Sequence, residues 1–261
     1  TAAEAARTCS RCFSSSCAVA SGEAQKSLDR LGALWSEFAE FRLERGETVV
    51  AIGGGVVGDL AGFAAATWRR GVSFVQVPTS LLAQVDASVG GKVAIDHAGL
   101  KNPVGAFHHP SLVLADTTFL ATLPGRECWS GLSEVVKVAL LAGGEVFGRV
   151  EASLESLAAG EGPVEEIVSA CVSYKAGVVQ RDPEERGERA VLNLGHTIGH
   201  ALESAAGGRL LHGEAVAWGL RAMVALAGPV APEVVRLIER LPAPSLSGLD
   251  PSIVLAHLAG D

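Results

Sequence analysis

Residues 193–214, NLGHTIGHALESAAGGRLLHGE, hold three of the chain's seven histidines: His196, His200 and His212. Imidazole nitrogens are the commonest protein ligands for metals. Asn193, Glu203 and Glu214 stand in the same stretch. His196 and His200 are four apart, so on a helix they share a face. His212, in His-Gly-Glu, reads as a loop residue. On spacing alone His196 and His200 are both ligands. His212 or a carboxylate then completes a three-ligand set with one open position, the arrangement of catalytic zinc. One histidine by itself is usually a satisfied polar residue, but three beside carboxylates favour a metal. The zinc-protease helix has the same pair spacing but needs Glu directly after the first histidine. Thr197 is there, so protease chemistry lacks its general base.

A second chemical signal is Gly53-Gly54-Gly55-Val56-Val57-Gly58-Asp59. It fits G-x-G-x-x-G between an apolar run and a helical pattern, the context a dinucleotide turn requires. Glycines let backbone N–H groups approach a pyrophosphate, and a helix N-terminus favours its charge. The bland alternative is a tight strand-to-helix turn. The next apolar run ends in Thr79 and Ser80 rather than in an acidic residue for a ribose. A dinucleotide here is therefore not expected to bind as in the standard Rossmann unit.

The third signal is a set of cations. Arg70 closes a helix in Trp-Arg-Arg-Gly, Lys92 follows Gly90-Gly91, and Lys101-Asn102 reads as a loop. Lys137 lies three residues after Glu134, Lys175 has apolar neighbours, and Arg189 precedes Asn193 by four. Each alone is ordinarily a solvated charge, and an exposed Glu134–Lys137 pair contributes only about 0.2–0.5 kcal/mol. Yet Leu132, Val135, Val136 and Val138 surround that pair. At least one of its charges is expected to be buried, which is costly without a partner or a metal.

Residues 23–45 carry helical spacing (Leu28, Leu31, Leu34, Trp35, Phe38), and TVVAI reads as a buried strand before the glycine turn. VVGDLAGFAAATW reads as a helix and VSFVQVPTS as a strand ended by Pro78. LLAQVDASVGGK reads as helix then glycine turn, and SLVLAD (111–116) as a strand. This alternation predicts an α/β domain with a mostly parallel sheet. Beyond about Thr118 every apolar pattern is helical and no convincing strand appears. The boundary falls near 118–124. The expected fold is an α/β nucleotide-binding domain over 1–118 and an all-α metal- and substrate-binding domain over 119–261, with ligand sites in the cleft between them. LPAPSLSG near 241–248 reads as a connection.

The 261 residues are 48% hydrophobic, enough for a sizeable core. The net charge of -8 argues against nucleic acid, which needs a basic surface. Converging cations can still hold a small anion. No apolar run approaches the roughly 18 residues of a membrane span, and TAAEAARTCSRC lacks the apolar stretch of a signal peptide, so none is expected in this sequence. The five cysteines form no framework, and Cys9-x-x-Cys12 is half of a zinc spacing without a second pair. Reduced thiols in a cytoplasmic protein are expected.

Together these segments resemble the 3-dehydroquinate synthases of the sugar-phosphate cyclase family. The matches run in order: GEAQKSL (22–28), GGGVVGDLAGFAAATWRRG (53–71), VPTSLLAQVDASVGGK (77–92), KNPVGAFHHP (101–110), TLPGRECWSGLSEVVK (122–137), YKAGVV (174–179), and ERAVLNLGHTIGHALE through LHGEAVAWG (188–219). The resemblance implies bound NAD, one divalent metal (zinc or cobalt), a homodimer and a small anionic sugar-phosphate substrate. It implies Glu134, His196 and His212 as metal ligands, with His200 facing substrate instead. Asp86, Lys92, Asn102, Lys137, Lys175, Arg189, Asn193 and His200 would line the substrate, Glu185 would support them, and Arg70 would reach phosphate from the partner subunit. For NAD it implies Glu23, Lys26, Gly54, Gly55, Val56, Val57, Gly58, Asp59, Thr79, Ser80, Lys92, Lys101 and Thr122. The implied reaction belongs to the shikimate pathway of aromatic amino-acid biosynthesis. It takes 3-deoxy-D-arabino-heptulosonate 7-phosphate to 3-dehydroquinate and phosphate by transient oxidation, elimination, re-reduction and aldol closure.

Ser21-Gly22-Glu23 stands where the family has Asp-Gly-Glu, and Leu100-Lys101-Asn102 where it has Gly-Lys-Asn. Family members run longer at both ends, so the first domain is expected to be incomplete at its N-terminus and the second at its C-terminus. Three rivals remain. One is a sister cyclase acting on sedoheptulose 7-phosphate or an amino analogue. Another is a metal-dependent alcohol or glycerol dehydrogenase, which has little use for so many phosphate-directed cations. The third is an inactive ligand-binding remnant.

Overall fold

A computed structural model describes residues 15–259; Cys9-x-x-Cys12 lies outside them. The chain divides between Phe119 and Leu120 into two compact units.

In the first unit, helix α1 (Leu28–Glu40) buries Leu31, Leu34 and Phe38, one apolar stripe. It starts later than its pattern suggests because Ser27 is the N-cap, its hydroxyl accepting from Arg30 N at 3.3 Å. A separate 3₁₀ turn covers Glu23–Gln25. Strand β1 (Thr48–Gly53) leads through helix α2 (Gly55–Thr67) to β2 (Ser73–Pro78), paired in parallel from Thr48↔Ser73 to Gly53↔Pro78. Small residues let α2 close on its neighbours: a Cβ on Gly62 would lie 2.4 Å from Val93 and 3.1 Å from Phe74.

The rest of this unit departs from expectation in three ways. LLAQVDASV holds a π-helical turn over Ala83–Ala87, a form often found at functional sites. Lys92–His97 (β3) and Leu100–Phe107 (β4) form an antiparallel hairpin, so Lys101 and Asn102 are strand residues, not loop residues. Nothing in the sequence announced β4, because it is exposed over most of its length and lacks alternation. SLVLAD pairs with β2 only at Leu112–Val113 (β5), giving the parallel order β1-β2-β5.

In the second unit no described residue is in a strand. Its α-helices are α3 (Gly125–Ala142), α4 (Gly144–Ala158), α5 (Val164–Arg181), α6 (His196–Ala206), α7 (His212–Leu226), α8 (Pro232–Glu239) and α9 (Pro251–Leu258). Helix α3 is the central one, buried continuously from Ser130 to Ala139 and packed against α4, α5 and α7. LPAPSLSG is an irregular connection. Among the described residues no helix is long and apolar enough to cross a membrane.

Candidate metal centre and nucleotide turn

Glu134 and Lys137, one turn apart on α3, are both buried, at 0% and 1% exposure. Lys137 Nζ is ion-paired with Glu134 Oε2. Neither Glu134 oxygen has a hydrogen-bond partner of normal geometry. Burial alone would raise this carboxyl's pKa. The Lys137 ammonium, then His196 and His212, override it and hold the group well below the usual carboxylate range.

The histidines reach Glu134 because two helices begin beside it. His212 is the first residue of α7, not a loop residue as its His-Gly-Glu context suggested. The helix starts there because Glu214 folds back to accept Leu211 N at 2.8 Å, as in a capping box. Gly213 lies directly on α3: its N–H donates to Ser130 Oγ at 3.0 Å, and a Cβ there would be 1.9 Å from Ser130 O. His196 opens α6 after Gly195, whose φ is +77°. A Cβ on Gly219 of α7 would meet Gly195 O at 1.8 Å, so this start is packed on α7.

His196 Nε2 and His212 Nε2 each lie 3.5 Å from Glu134 Oε1. On the far side of the rings, His196 Nδ1 meets Leu194 O at 3.2 Å and His212 Nδ1 meets Glu203 Oε2 at 3.2 Å. The ligand atoms of Glu134, His196 and His212 lie within 4.8 Å of one another. A second set, His200, Glu203 and His212, meets the same limit, but no such set among the described residues holds both His196 and His200. The expectation from spacing alone is therefore corrected. A shared helix face brings the two rings edge to face, centroids 5.2 Å apart, without placing both in one set of ligand atoms. Burial alone would lower the His212 pKa, but Glu134 and Glu203 raise it to about 10. A dry carboxylate with two oxygens short of hydrogen bonds, faced by two imidazole nitrogens, is a donor set that fits a divalent cation.

Of three supporting residues, Arg126 and Ser130 had no role assigned from sequence, and Glu203 entered only as a carboxylate beside the histidines. Arg126 grips Glu214 through both oxygens, at 2.7 and 2.8 Å, and reaches Arg209 O at 2.8 Å. Ser130 seats Gly213, and Glu203 meets His212. Only the N3 position of Glu214 carried a sequence signal.

Elsewhere in this unit Lys175 on α5 and Arg189 are buried cations. Asp182 orders the loop before Arg189 by accepting from Arg186 N (2.9 Å), Gly187 N (2.8 Å) and Arg189 N (3.0 Å). Asn193 Nδ2 donates to Glu185 Oε1 at 2.8 Å. Glu185 itself has φ +57°, a left-handed strain that tends to gather at functional sites.

In the first unit, Gly54 is the N-cap of α2 with no side-chain cap, leaving the helix end open to an anion. Val56 and Val57 form the first turn. Gly58 is needed for packing, since a Cβ there would be 2.9 Å from Gln76 Oε1. Thr79 N donates to Gly53 O at 2.9 Å, which sets Ser80 beside Gly54. Lys26, buried, pairs with Asp59 Oδ2 at 2.9 Å, hydrogen-bonds Asn102 Oδ1, and lies 3.5 Å from Glu23. Glu23 also meets Lys101 at 3.3 Å. Five candidate residues from three distant motifs thus share one ionic cluster. Burial would lower the Lys26 pKa, but Asp59 and Glu23 raise it. Asp86 lies in the π-helical turn, Lys92 is exposed at the start of β3, and Thr122 is exposed in the 3₁₀ segment Thr117–Thr122. Arg70 is exposed, with φ +67° directly after Arg69 at +48°. Arg69 is tied to Glu44 at 2.9 Å and Leu43 O at 3.0 Å.

Comparison with known proteins gives these features a common origin. The family described as 3-dehydroquinate synthase N-terminal matches residues 16–130, and that described as 3-dehydroquinate synthase C-terminal matches 131–241. A 3-dehydroquinate synthase of Symbiobacterium thermophilum is 48% identical over 254 residues, which are 93% of this chain and 71% of that protein. Against other curated relatives of that name the chain spans 52 to 64% of their length. Among solved structures, 2-epi-5-epi-valiolone synthase from Streptomyces hygroscopicus, with NAD+ and Zn2+ bound, superposes with a TM-score of 0.84 at 30% identity, covering 94% of this chain and 71% of that one. A 2-deoxy-scyllo-inosose synthase complexed with carbaglucose-6-phosphate, NAD+ and Co2+ gives 0.82 at 32%, covering 92% and 70%. The chain belongs to the 3-dehydroquinate synthase family, with that family's α/β N-terminal domain and helical C-terminal domain.

Proposed function

We propose that this chain carries the nucleotide and metal domains of a 3-dehydroquinate synthase. Its reaction would convert 3-deoxy-D-arabino-heptulosonate 7-phosphate to 3-dehydroquinate and phosphate, in the shikimate pathway. The carrying observation is the buried Glu134 with two imidazole Nε2 atoms 3.5 Å from one of its oxygens, in a chain whose curated relatives of this name are 45 to 54% identical.

Glu134, His196 and His212 would hold the divalent cation, zinc or cobalt. When bound, the cation supplies Lewis-acid polarisation of the reacting hydroxyl and ketone, and NAD supplies reversible hydride acceptance. The protein's own side chains supply charge, orientation and proton transfer. Lys137, Lys175 and Arg189 are buried cations, suited as charge-assisted donors to the substrate's carboxylate and phosphate. Asn193, held by Glu185, orients substrate hydroxyls. His200 accepts and returns a proton, as an imidazole can near neutral pH. Asp86, Lys92 and Asn102, on the first unit, are proposed substrate contacts by the same family resemblance. The open N-terminus of α2 at Gly54, Gly55, Val56, Val57 and Gly58 takes a pyrophosphate. Glu23, Lys26, Asp59, Thr79, Ser80, Lys92, Lys101 and Thr122 hold the rest of the nucleotide.

A cytoplasmic homodimer completes the reading. In such a dimer the exposed Arg70, with φ +67°, would reach the phosphate held by the partner subunit. A second reading, a sister cyclase acting on sedoheptulose 7-phosphate or an amino analogue, is supported only at the level of the fold and of a cyclase function, by the two cyclase structures at 30 and 32% identity. The higher identity to the dehydroquinate synthases favours the first.

The test is phosphate release from 3-deoxy-D-arabino-heptulosonate 7-phosphate with NAD and zinc, before and after chelation. Release lost on chelation and regained with metal is expected. Release only from sedoheptulose 7-phosphate would replace this reading with the second, and release from neither would overturn both for this chain.

A further inference from the structure

We propose that Glu203 is a positioning residue for the metal centre: it holds His212 by Nδ1 so that Nε2 faces Glu134. This inference rests on the metal reading of Glu134, His196 and His212.

The two imidazoles approach Glu134 Oε1 equally, Nε2 at 3.5 Å in each case, but they are held differently behind. His196 Nδ1 donates to Leu194 O, a backbone acceptor two residues away that no side-chain change removes. His212 is held from another element. It opens α7, and the preceding carbonyl, Leu211 O, already accepts the helix bond from Ala215 N at 3.1 Å. The acceptor comes instead from α6, where Glu203 Oε2 stands 3.2 Å from His212 Nδ1. Glu203 lies seven residues after His196, so one helix face supplies both a ligand and the support for another.

The placement is costly enough to need a reason. Glu203 is 8% exposed, and its neighbours Leu202 and Ala206 belong to an apolar cluster with Leu210. A carboxylate in such surroundings must be partnered. Against an imidazole Nδ1–H it fixes which nitrogen carries the proton, stops the ring from turning over, and makes the opposite nitrogen a better donor. The set of His200, Glu203 and His212 raises one competing role, in which Glu203 is itself a ligand.

The experiment compares wild type, E203A, E203Q, H200A and E134A in the full chain. Zinc affinity is measured by chelator competition, the cobalt-loaded forms by electronic absorption, and the metal-free forms by thermal melting. E203A is expected to weaken zinc about 10- to 100-fold, E203Q to weaken it less, and H200A to leave it within about twofold. Metal-free E203A should melt below the wild type, because it leaves His212 without its partner, and at saturating cobalt its absorption bands should keep their wild-type positions. E203Q, nearly isosteric, carries the test if E203A does not fold. Unchanged affinity in both Glu203 variants overturns the proposal and reduces the residue to packing. Parallel loss of affinity in E203A and H200A, with shifted cobalt bands, overturns it in favour of a ligand role. Wild-type affinity in E134A would instead sink the metal reading, and with it the proposal, whatever Glu203 does.

Discussion

Glu134 and Lys137 form an ion pair deep in an apolar helix face, and such a pair is poor value for stability. Desolvating both charges costs several kcal/mol each, and their attraction only roughly offsets it. Removing one partner should be worse than removing both. We predict that E134L, which strands a buried ammonium, lowers the melting temperature of the metal-free protein. The double variant E134L/K137M should raise metal-free stability by about 1–4 kcal/mol, measured by urea unfolding, and should bind no zinc by elemental analysis. A double variant less stable than wild type would mean that the pair is structural and not kept for chemistry. The same logic covers Lys26, whose burial is offset by Asp59 and Glu23.

At the scale of elements, the centre depends on how α7 begins. Gly213 has no Cβ, so α7 can touch the backbone of α3 at Ser130, one turn before Glu134. G213A would put a carbon 1.9 Å from Ser130 O. We expect it to destabilise the protein by about 1–3 kcal/mol, as overpacking does, and to weaken zinc binding together with stability; G208A, where a Cβ would meet nothing but the φ of +85° disfavours a side chain, should cost stability without changing zinc affinity. The Arg126–Glu214 pair holds the same helix start, and its pH dependence has a definite sign. Burial alone would raise the Glu214 pKa, but Arg126 and the Leu211 N–H lower it. Its contribution to stability is therefore present above the ordinary carboxylate pKa of about 4.3 and is lost as pH falls through the lower folded value. Wild type and R126A should differ in urea midpoint at pH 7 and converge toward pH 3. A gap that is constant with pH would exclude this pair as its source.

At the scale of the molecule, the candidate metal set and the candidate nucleotide turn lie on separate units. Every residue of the candidate metal set follows Leu120, and the glycine turn precedes Phe119. The two bindings should therefore be separable by mutation. G54V, which crowds the N-cap of α2 and Ser80, should weaken NAD by about tenfold or more, equal to about 1.4 kcal/mol, with zinc affinity unchanged. E134A should do the reverse. Isothermal titration of both ligands against both variants checks this, and a variant that loses both at once would contradict it.

Much of this was legible in the amino-acid order, because it depends on near neighbours. Stripes such as Leu31, Leu34 and Phe38 declare a helix, TVVAI before Gly53-Gly54-Gly55 declares a strand meeting a helix N-terminus, and unbroken helical spacing after Thr118 declares an all-α unit. The exposed strand β4 was not legible, since a strand without a buried face carries no alternation, and so Lys101 and Asn102 passed for loop residues. Nor could spacing choose among the histidines. His196 and His200 are nearest in the chain, yet His196 and His212 converge on Glu134 because Gly213 lets one helix begin against another. That choice, and the support of Glu203 behind His212, are distances between elements far apart in sequence. Local propensity says nothing about such distances, and only tertiary packing decides them.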